Sequence, residues 1–178
     1  MFEVRTVKLE CMVTLYNTVS ADGYIARNDG GEDFIPDEAW DDFLEILRGY
    51  EVVILGRKSY ETIQSYPELM VEAFEKMLIR RVVVSRDPNI QLKSGYSAIS
   101  SVSEISKLGN NILLTSGPTL NTAALDAGII DQVVLNTLPE KIGEGLLVFH
   151  HSPKLLLRSA RELPNGRKLC TYSVDSKG

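Results

Sequence analysis

Residues 111–137, NILLTSGPTLNTAALDAGIIDQVVLNT, decide the fold class. NILLT is a short apolar run without alternation, as in a strand covered on both faces. PTLNTAALDAG opens on proline, which suits the first helical position, and closes on Gly128, a helix stop. DQVVLNT is β-branched and apolar again, and Pro139 ends it soon after. Strand, helix and strand in so short a span describe a crossover that joins parallel strands.

The same pattern recurs on the N-terminal side. CMVTLYNTV (residues 11–19), EVVILG (51–56) and RRVVVS (80–85) read as strands. PDEAWDDFLEILRG (36–49) reads as a helix with acids in its first turns, RKSYETI (57–63) as a short helix and PELMVEAFEKML (67–78) as a longer one. SVSEISKL (101–108) is a short helix with a serine cap and a nearby glutamate. The tail holds extended segments around LPNGRKL (163–169), whose Asn-Gly pair is the strongest short hairpin signal. The expected fold is therefore α/β, with a mainly parallel central sheet, helices on both faces and a C-terminal antiparallel hairpin.

Length and composition fit one domain, 1–178, with a sizeable core: 178 residues, 44% apolar and 24% charged. A net charge of −5 with scattered basic residues argues against nucleic acid as a partner. Glu3, Arg5, Lys8 and Glu10 interrupt the N-terminus, so no signal-peptide core is expected. No apolar run approaches the roughly 20 residues that span a bilayer, so no membrane partner is expected. Cys11 and Cys170 sit in apolar alternation as small hydrophobes, and pair only if the terminal strands adjoin. A cytoplasmic setting is the expectation.

In open parallel sheets, ligands bind beyond the carboxyl ends of the strands. The loops there are SADG, GRKSY, SRDP and TSGPT. In GRKSY, Gly56 ends a strand, and Arg57, Lys58 and Ser59 open a helix. Cations oppose the helix dipole at that end unless an anion is bound, and a solvated basic turn is the alternative. Ser85 and Arg86 suit a phosphate monoester such as the 2′-phosphate that separates NADPH from NADH, or else form a plain turn before Asp87-Pro88. Gly117 allows close backbone approach, and Pro118, Thr119 and Leu120 begin a helix whose amides are open to a pyrophosphate. Asp22-Gly23 is first a turn; facing the cleft, Asp22 would orient substrate or assist proton delivery. In the acidic helix Trp40, Phe43, Leu44 and Leu47 share one side, leaving Asp37 and Asp42 at the border as the acids able to reach a substrate.

Other chemistries lack their residues. His150 and His151 are adjacent in an expected strand and point apart, so they do not chelate one metal. There is no GxGxxG fingerprint, P-loop, GxSxG elbow or cysteine in a nucleophile's setting. No metal site is expected.

Taken in order, SADGYIA, VVILGRKSYETI, RRVVVSRDP, residues 112–149 and the final hairpin resemble the dihydrofolate-reductase-like fold. The closer likeness is to the reductase domain of the riboflavin-biosynthesis deaminase–reductases and their stand-alone relatives. The resemblance implies an NADPH-dependent reductase, expected as a homodimer, without metal or covalent intermediate. It implies that Gly56, Arg57, Lys58 and Ser59 lie near the cofactor phosphates, and Ser85 and Arg86 near the 2′-phosphate. The family's Gly-Gly phosphate turn falls on Ser116 and Gly117, followed by Pro118, Thr119 and Leu120; Ser116 departs from the usual first glycine. Ser20, Asp22 and Gly23 would lie near nicotinamide and substrate, with Gly143 and Gly145 in a substrate-side turn. No deaminase zinc motif is present. A ribosylaminopyrimidine 5′-phosphate is the first substrate to expect. Dihydrofolate reduction, or a non-catalytic nucleotide-binding or assembly protein on the same fold, are the alternatives.

Overall fold

The computed structural model describes residues 10–175; residues 1–9, read above as lacking a signal-peptide core, lie outside them. The chain runs β1 (Met12–Val19), β2 (Tyr24–Ala26), α1 (Asp37–Leu47), β3 (Val52–Gly56), α2 (Arg57–Gln64), α3 (Glu68–Glu75), β4 (Arg80–Val84) and β5 (Tyr96–Ile99). It continues through β6 (Asn111–Thr115), α4 (Pro118–Asp126), β7 (Gln132–Thr137), β8 (Leu146–Leu147), β9 (Leu155–Glu162) and β10 (Lys168–Val174). One eight-stranded sheet takes the order β5-β4-β3-β6-β1-β7-β10-β9, and β2 pairs with β8 apart from it. The pairs from β5 across to β7 are all parallel, whereas β10 is antiparallel to both β7 and β9.

Alternate strand residues feed two cores. Val13, Leu15, Val52, Ile54, Ile112, Leu114 and Val133 face Ile105 and Ala124, on the side of α4. Tyr16, Val53, Leu55, Val83, Leu113 and Val134 face Phe43 and Leu47 of α1, Tyr60 and Ile63 of α2 and Phe74 of α3. This makes three layers, helix on sheet on helix. Each fully buried aliphatic side chain contributes about 1.5–3 kcal/mol, which is why these runs carry no polar alternation.

Local chemistry ends the elements as read. Ser101 and Glu104 form a capping box, and the segment they open is a 3₁₀ turn over Val102–Lys107. Asn165 (φ 61°) and Gly166 (φ 75°) both adopt the left-handed conformation of a tight hairpin turn between β9 and β10. α3 has no basic residue in its last turn. The buried Arg81 supplies one from β4, donating to the carbonyls of Phe74 (2.9 Å), Glu75 and Met77 (2.8 Å).

One expectation changes, and two points that the sequence left open are filled in. β5 was not read from the sequence: it is a four-residue edge strand whose Ser97 and Ala98 are exposed, so it carries no apolar signal. His150 and His151 lie in bends beyond β8 rather than in a strand. Cys11 and Cys170 are both free, since β7 separates β1 from β10.

Candidate functional site

Because β4, β3, β6 and β1 are adjacent and parallel, the loops at their carboxyl ends emerge along one edge in that spatial order. At about 4.8 Å per strand, the row SRDP, GRKSY, TSGPT and SADG spans about 14 Å. Two helices start within this row. The N-terminus of α2 is at Gly56 and that of α4 at Gly117, and neither has a side-chain cap or an acidic residue in its first turn. α1, by contrast, places Asp37 and Glu38 in its first turn. Uncapped amides free of carboxylates make both ends receptive to an anion.

The cations expected here are available. Among the described residues, Lys58 and Arg86 have no ion-pair partner, and Arg57 has only an exposed, long contact of 4.0 Å with Glu61. Ser59 lies in the first turn of α2. The Ser85 hydroxyl accepts from the Asp87 amide at 3.1 Å, which turns the chain immediately after Arg86. The structure thus aligns Gly56, Arg57, Lys58, Ser59, Ser85, Arg86, Ser116, Gly117, Pro118, Thr119 and Leu120 along the same edge. Leu120 is half-buried and packs inward, so its amide rather than its side chain is what it offers to that edge.

The close approach that the sequence suggests at Gly117 is found instead between Gly56 and the Ser116 side chain. A Cβ built on Gly56 would stand 3.3 Å from the Ser116 Cβ, whereas one built on Gly117 meets nothing within 4 Å. A side chain at 56 would crowd the Ser116 Cβ by a few tenths of an ångström; at 117 the absence of a side chain leaves the edge of the sheet open. No peptide bond among the described residues is cis.

Of the residues expected on the substrate side, Ser20 and Gly143 are joined by the Asp22 carboxylate. Asp22 Oδ1 accepts from the Ser20 hydroxyl (2.7 Å) and the Ile142 amide (3.1 Å), and Oδ2 from the Gly143 amide (2.8 Å). The Ser20 hydroxyl also accepts from the Tyr24 amide at 3.0 Å. Led by the Ser20 hydrogen bond, these donors hold the Asp22 carboxyl down at about 2, well below its ordinary 3.8. Gly23 (φ 94°) and Gly143 (φ 84°) take conformations that side chains resist. A Cβ on Gly145 would lie 2.3 Å from the Ala26 carbonyl oxygen, so β2 and β8 pair only with glycine there.

Asp42 reaches inward from α1, but to the chain itself. Its carboxylate takes Arg167 Nε (2.7 Å) and a second guanidinium nitrogen (3.1 Å), and also the Asn136 side-chain amide (2.8 Å). Arg167 is buried and the Asp42 side chain is 16% exposed, so the pair is shielded and neutral as a unit. Arg167 and Asn136 went unread; both are distant in sequence, and only a polar residue amid β7's apolar run hinted at Asn136.

Asn17 and Asn121 were also missed. Each interrupts an apolar face, which is the sequence signal for a buried polar partner. Asn121 is fully buried, and the two hydrogens of its amide are shared among three acceptors, Asn17 Oδ1 (3.0 Å), the Ser116 carbonyl (3.0 Å) and the Val148 carbonyl (2.9 Å). Its Oδ1 accepts from the Ser116 hydroxyl, while Asn17 donates to the Ser116 carbonyl at 3.1 Å. Among the described residues no His, Cys, Asp and Glu cluster suits a metal, and no helix is long and apolar enough to cross a membrane.

The profile of the RibD C-terminal domain family matches residues 11–169. The uncharacterized protein YwjB of Bacillus subtilis (strain 168) is 25% identical over 170 residues, covering 86% of this chain and 93% of its own. Two solved structures share the fold at low identity. RibD of Acinetobacter baumannii superposes with a TM-score of 0.73 at 16% identity over 95% of this chain, which spans 59% of that one. Dihydrofolate reductase of Enterococcus faecalis, complexed with NADP(H) and RAB-propyl, gives 0.67 at 14% identity over 94% of this chain and 98% of its own.

Proposed function

Because this chain belongs to the RibD C-terminal domain family, we propose that it is an NADPH-dependent reductase acting on a small heterocyclic or sugar-phosphate substrate. The observation that carries the reading is the row of strand-end loops, with two uncapped helix N-termini and the cations Lys58 and Arg86, unpaired among the described residues, on one edge. A dinucleotide phosphate needs donors and positive charge spaced along its length, and that edge supplies both. NADPH, when bound, supplies the hydride. Arg86 and Ser85 would hold the 2′-phosphate; the amides of α2 and α4, with Arg57 and Lys58, would hold the remaining phosphates.

Asp22 acts in this reading as a positioning group. A carboxyl ionised at neutral pH, with its oxygens already accepting three hydrogen bonds, is a poor proton donor. Its work is to hold the turn at 142–143 over the end of β1, and water delivers the proton. Proximity and orientation then provide most of the rate.

A ribosylaminopyrimidine 5′-phosphate remains the first substrate. The engagement of Asp42 by Arg167 weighs against a dihydrofolate, because that carboxylate is already neutralised and is not free to pair with a protonated pterin. NADPH titration by fluorescence, followed by loss of nicotinamide absorbance with pterin and ribosylaminopyrimidine substrates, tests the proposal. No binding at millimolar NADPH would sink it, and binding without turnover of any substrate would point to the non-catalytic alternative.

A further inference from the structure

The backbone around Ser116 gives Asn121 and Asn17 a task beyond filling the core, on the premise that the edge described above binds NADPH. Both side-chain amides donate to the Ser116 carbonyl, at 3.0 Å and 3.1 Å, so that carbonyl points into the protein. In a trans peptide the carbonyl and the following N–H point in opposite directions. The Gly117 N–H is therefore directed away from the Asn121 and Asn17 amides that hold the Ser116 carbonyl.

Among the described residues the Gly117 amide has no acceptor, and neither do the amides of Thr119 and Leu120 in the first turn of α4. The first backbone bond of that helix runs from Asn121 N to the Gly117 carbonyl at 3.1 Å. Pro118 between them has no N–H to offer, so the free donors are those of Gly117, Thr119 and Leu120. Three free amides within one helix start offer a nest for a phosphate oxygen.

We propose that Asn121, with Asn17, is the positioning residue of this nest: together they fix the plane of the Ser116–Gly117 peptide so that its N–H faces the cofactor pyrophosphate. Ser116 belongs to the same device. Its hydroxyl donates to Asn121 Oδ1, which leaves the Asn121 amide end aimed at the carbonyls of Ser116 and Val148. The serine that departs from the family's glycine thus locks the orientation of Asn121, and Gly56 yields the space its Cβ needs.

The test compares two ligands that use different parts of the edge. NADPH needs the α4 nest, whereas adenosine 2′-monophosphate needs only the region of Ser85 and Arg86. In Asn121→Ala and Asn17→Ala the Kd for NADPH is expected to rise about tenfold, the loss of roughly one charge-assisted hydrogen bond. The Kd for adenosine 2′-monophosphate is expected to stay within about twofold of wild type. A parallel loss of both ligands would assign the asparagines to fold maintenance and overturn the inference. Unchanged NADPH affinity in folded variants would overturn it while leaving the cofactor reading intact. Failure of the wild-type protein to bind NADPH would overturn the cofactor reading and the inference with it. Should Asn121→Ala not fold, Asn17→Ala carries the comparison, since it removes one donor to Ser116 and leaves the other.

Discussion

The Asp22 carboxylate accepts the Gly143 amide at 2.8 Å across 121 residues of sequence, fastening the loop after β7 to the turn after β1. Ile142 adds a second amide at 3.1 Å, and the Ala21 amide reaches back to the Glu140 carbonyl at 2.7 Å. Asp22→Ala is expected to speed hydrogen exchange at Ile142 and Gly143 by about tenfold or more, as bonds to a charged acceptor are lost. The folded pKa is depressed, so this protection is complete above the ordinary value of 3.8 and disappears as pH falls toward about 2. Exchange at the two amides that ignores both the substitution and acidification would show that the carboxylate does not hold the loop.

Arg86 tests the cofactor assignment most directly. It is exposed, lacks an ion-pair partner among the described residues and follows β4 at the outer end of the loop row. Arg86→Ala is expected to weaken NADPH about 10- to 100-fold, the range for losing a hydrogen bond to a charged group, and NADH by no more than about threefold. Equal losses for the two cofactors, measured by fluorescence titration, would remove the 2′-phosphate from Arg86.

What could be read from the sequence depended on how local its cause was. β3 and β6 were legible because strands buried on both faces need unbroken apolar runs, and VVIL and ILL leave few alternatives. The hairpin turn was legible because Asn165 and Gly166 tolerate the positive φ it demands. β5 was not, since an exposed edge strand is held by main-chain pairing to β4 that any side chain permits. The loops of the site could be named one by one, but their order along the edge follows from strand pairing, which no single loop encodes. The partners of Asp42 and Asn121 lie up to 125 and 104 residues away, so the sequence could mark these residues as polar and inward but not say what they hold.

The Asp42–Arg167 pair makes a stability prediction. The side chains of Asp42 and Arg167 are 16% and 5% exposed, and the guanidinium also donates to the Pro164 carbonyl at 2.8 Å. Asp42→Ala leaves a buried cation without its counter-charge and is expected to cost about 3–5 kcal/mol in urea denaturation. Replacing both residues, as Asp42→Leu with Arg167→Met, is expected to cost much less than Asp42→Ala alone. A double variant that is no more stable than the single one would mean that the pair stabilises the fold on its own account.

Glu32 makes the opposite pH prediction to Asp22. It lies in the glycine-rich loop between β2 and α1, and the Tyr66 hydroxyl donates to its Oε2. Burial raises the Glu32 carboxyl above its ordinary value, and the Tyr66 hydrogen bond only partly opposes this. The folded pKa is therefore raised: the stabilising contribution is full below about 4.5 and is lost as pH rises through the folded value. Glu32→Gln keeps an acceptor for Tyr66 but has no charge to bury. Its Tm relative to wild type is expected to increase from about pH 4 to about pH 8, with the change complete once the wild-type carboxyl has ionised. A Tm difference that stays constant over this range would show that Glu32 ionises without cost in the folded protein. Since Asp22 acts below its ordinary pKa and Glu32 above its own, the two substitutions should alter separate limbs of the stability–pH curve, and Glu32→Gln should leave the acid limb as it is in wild type.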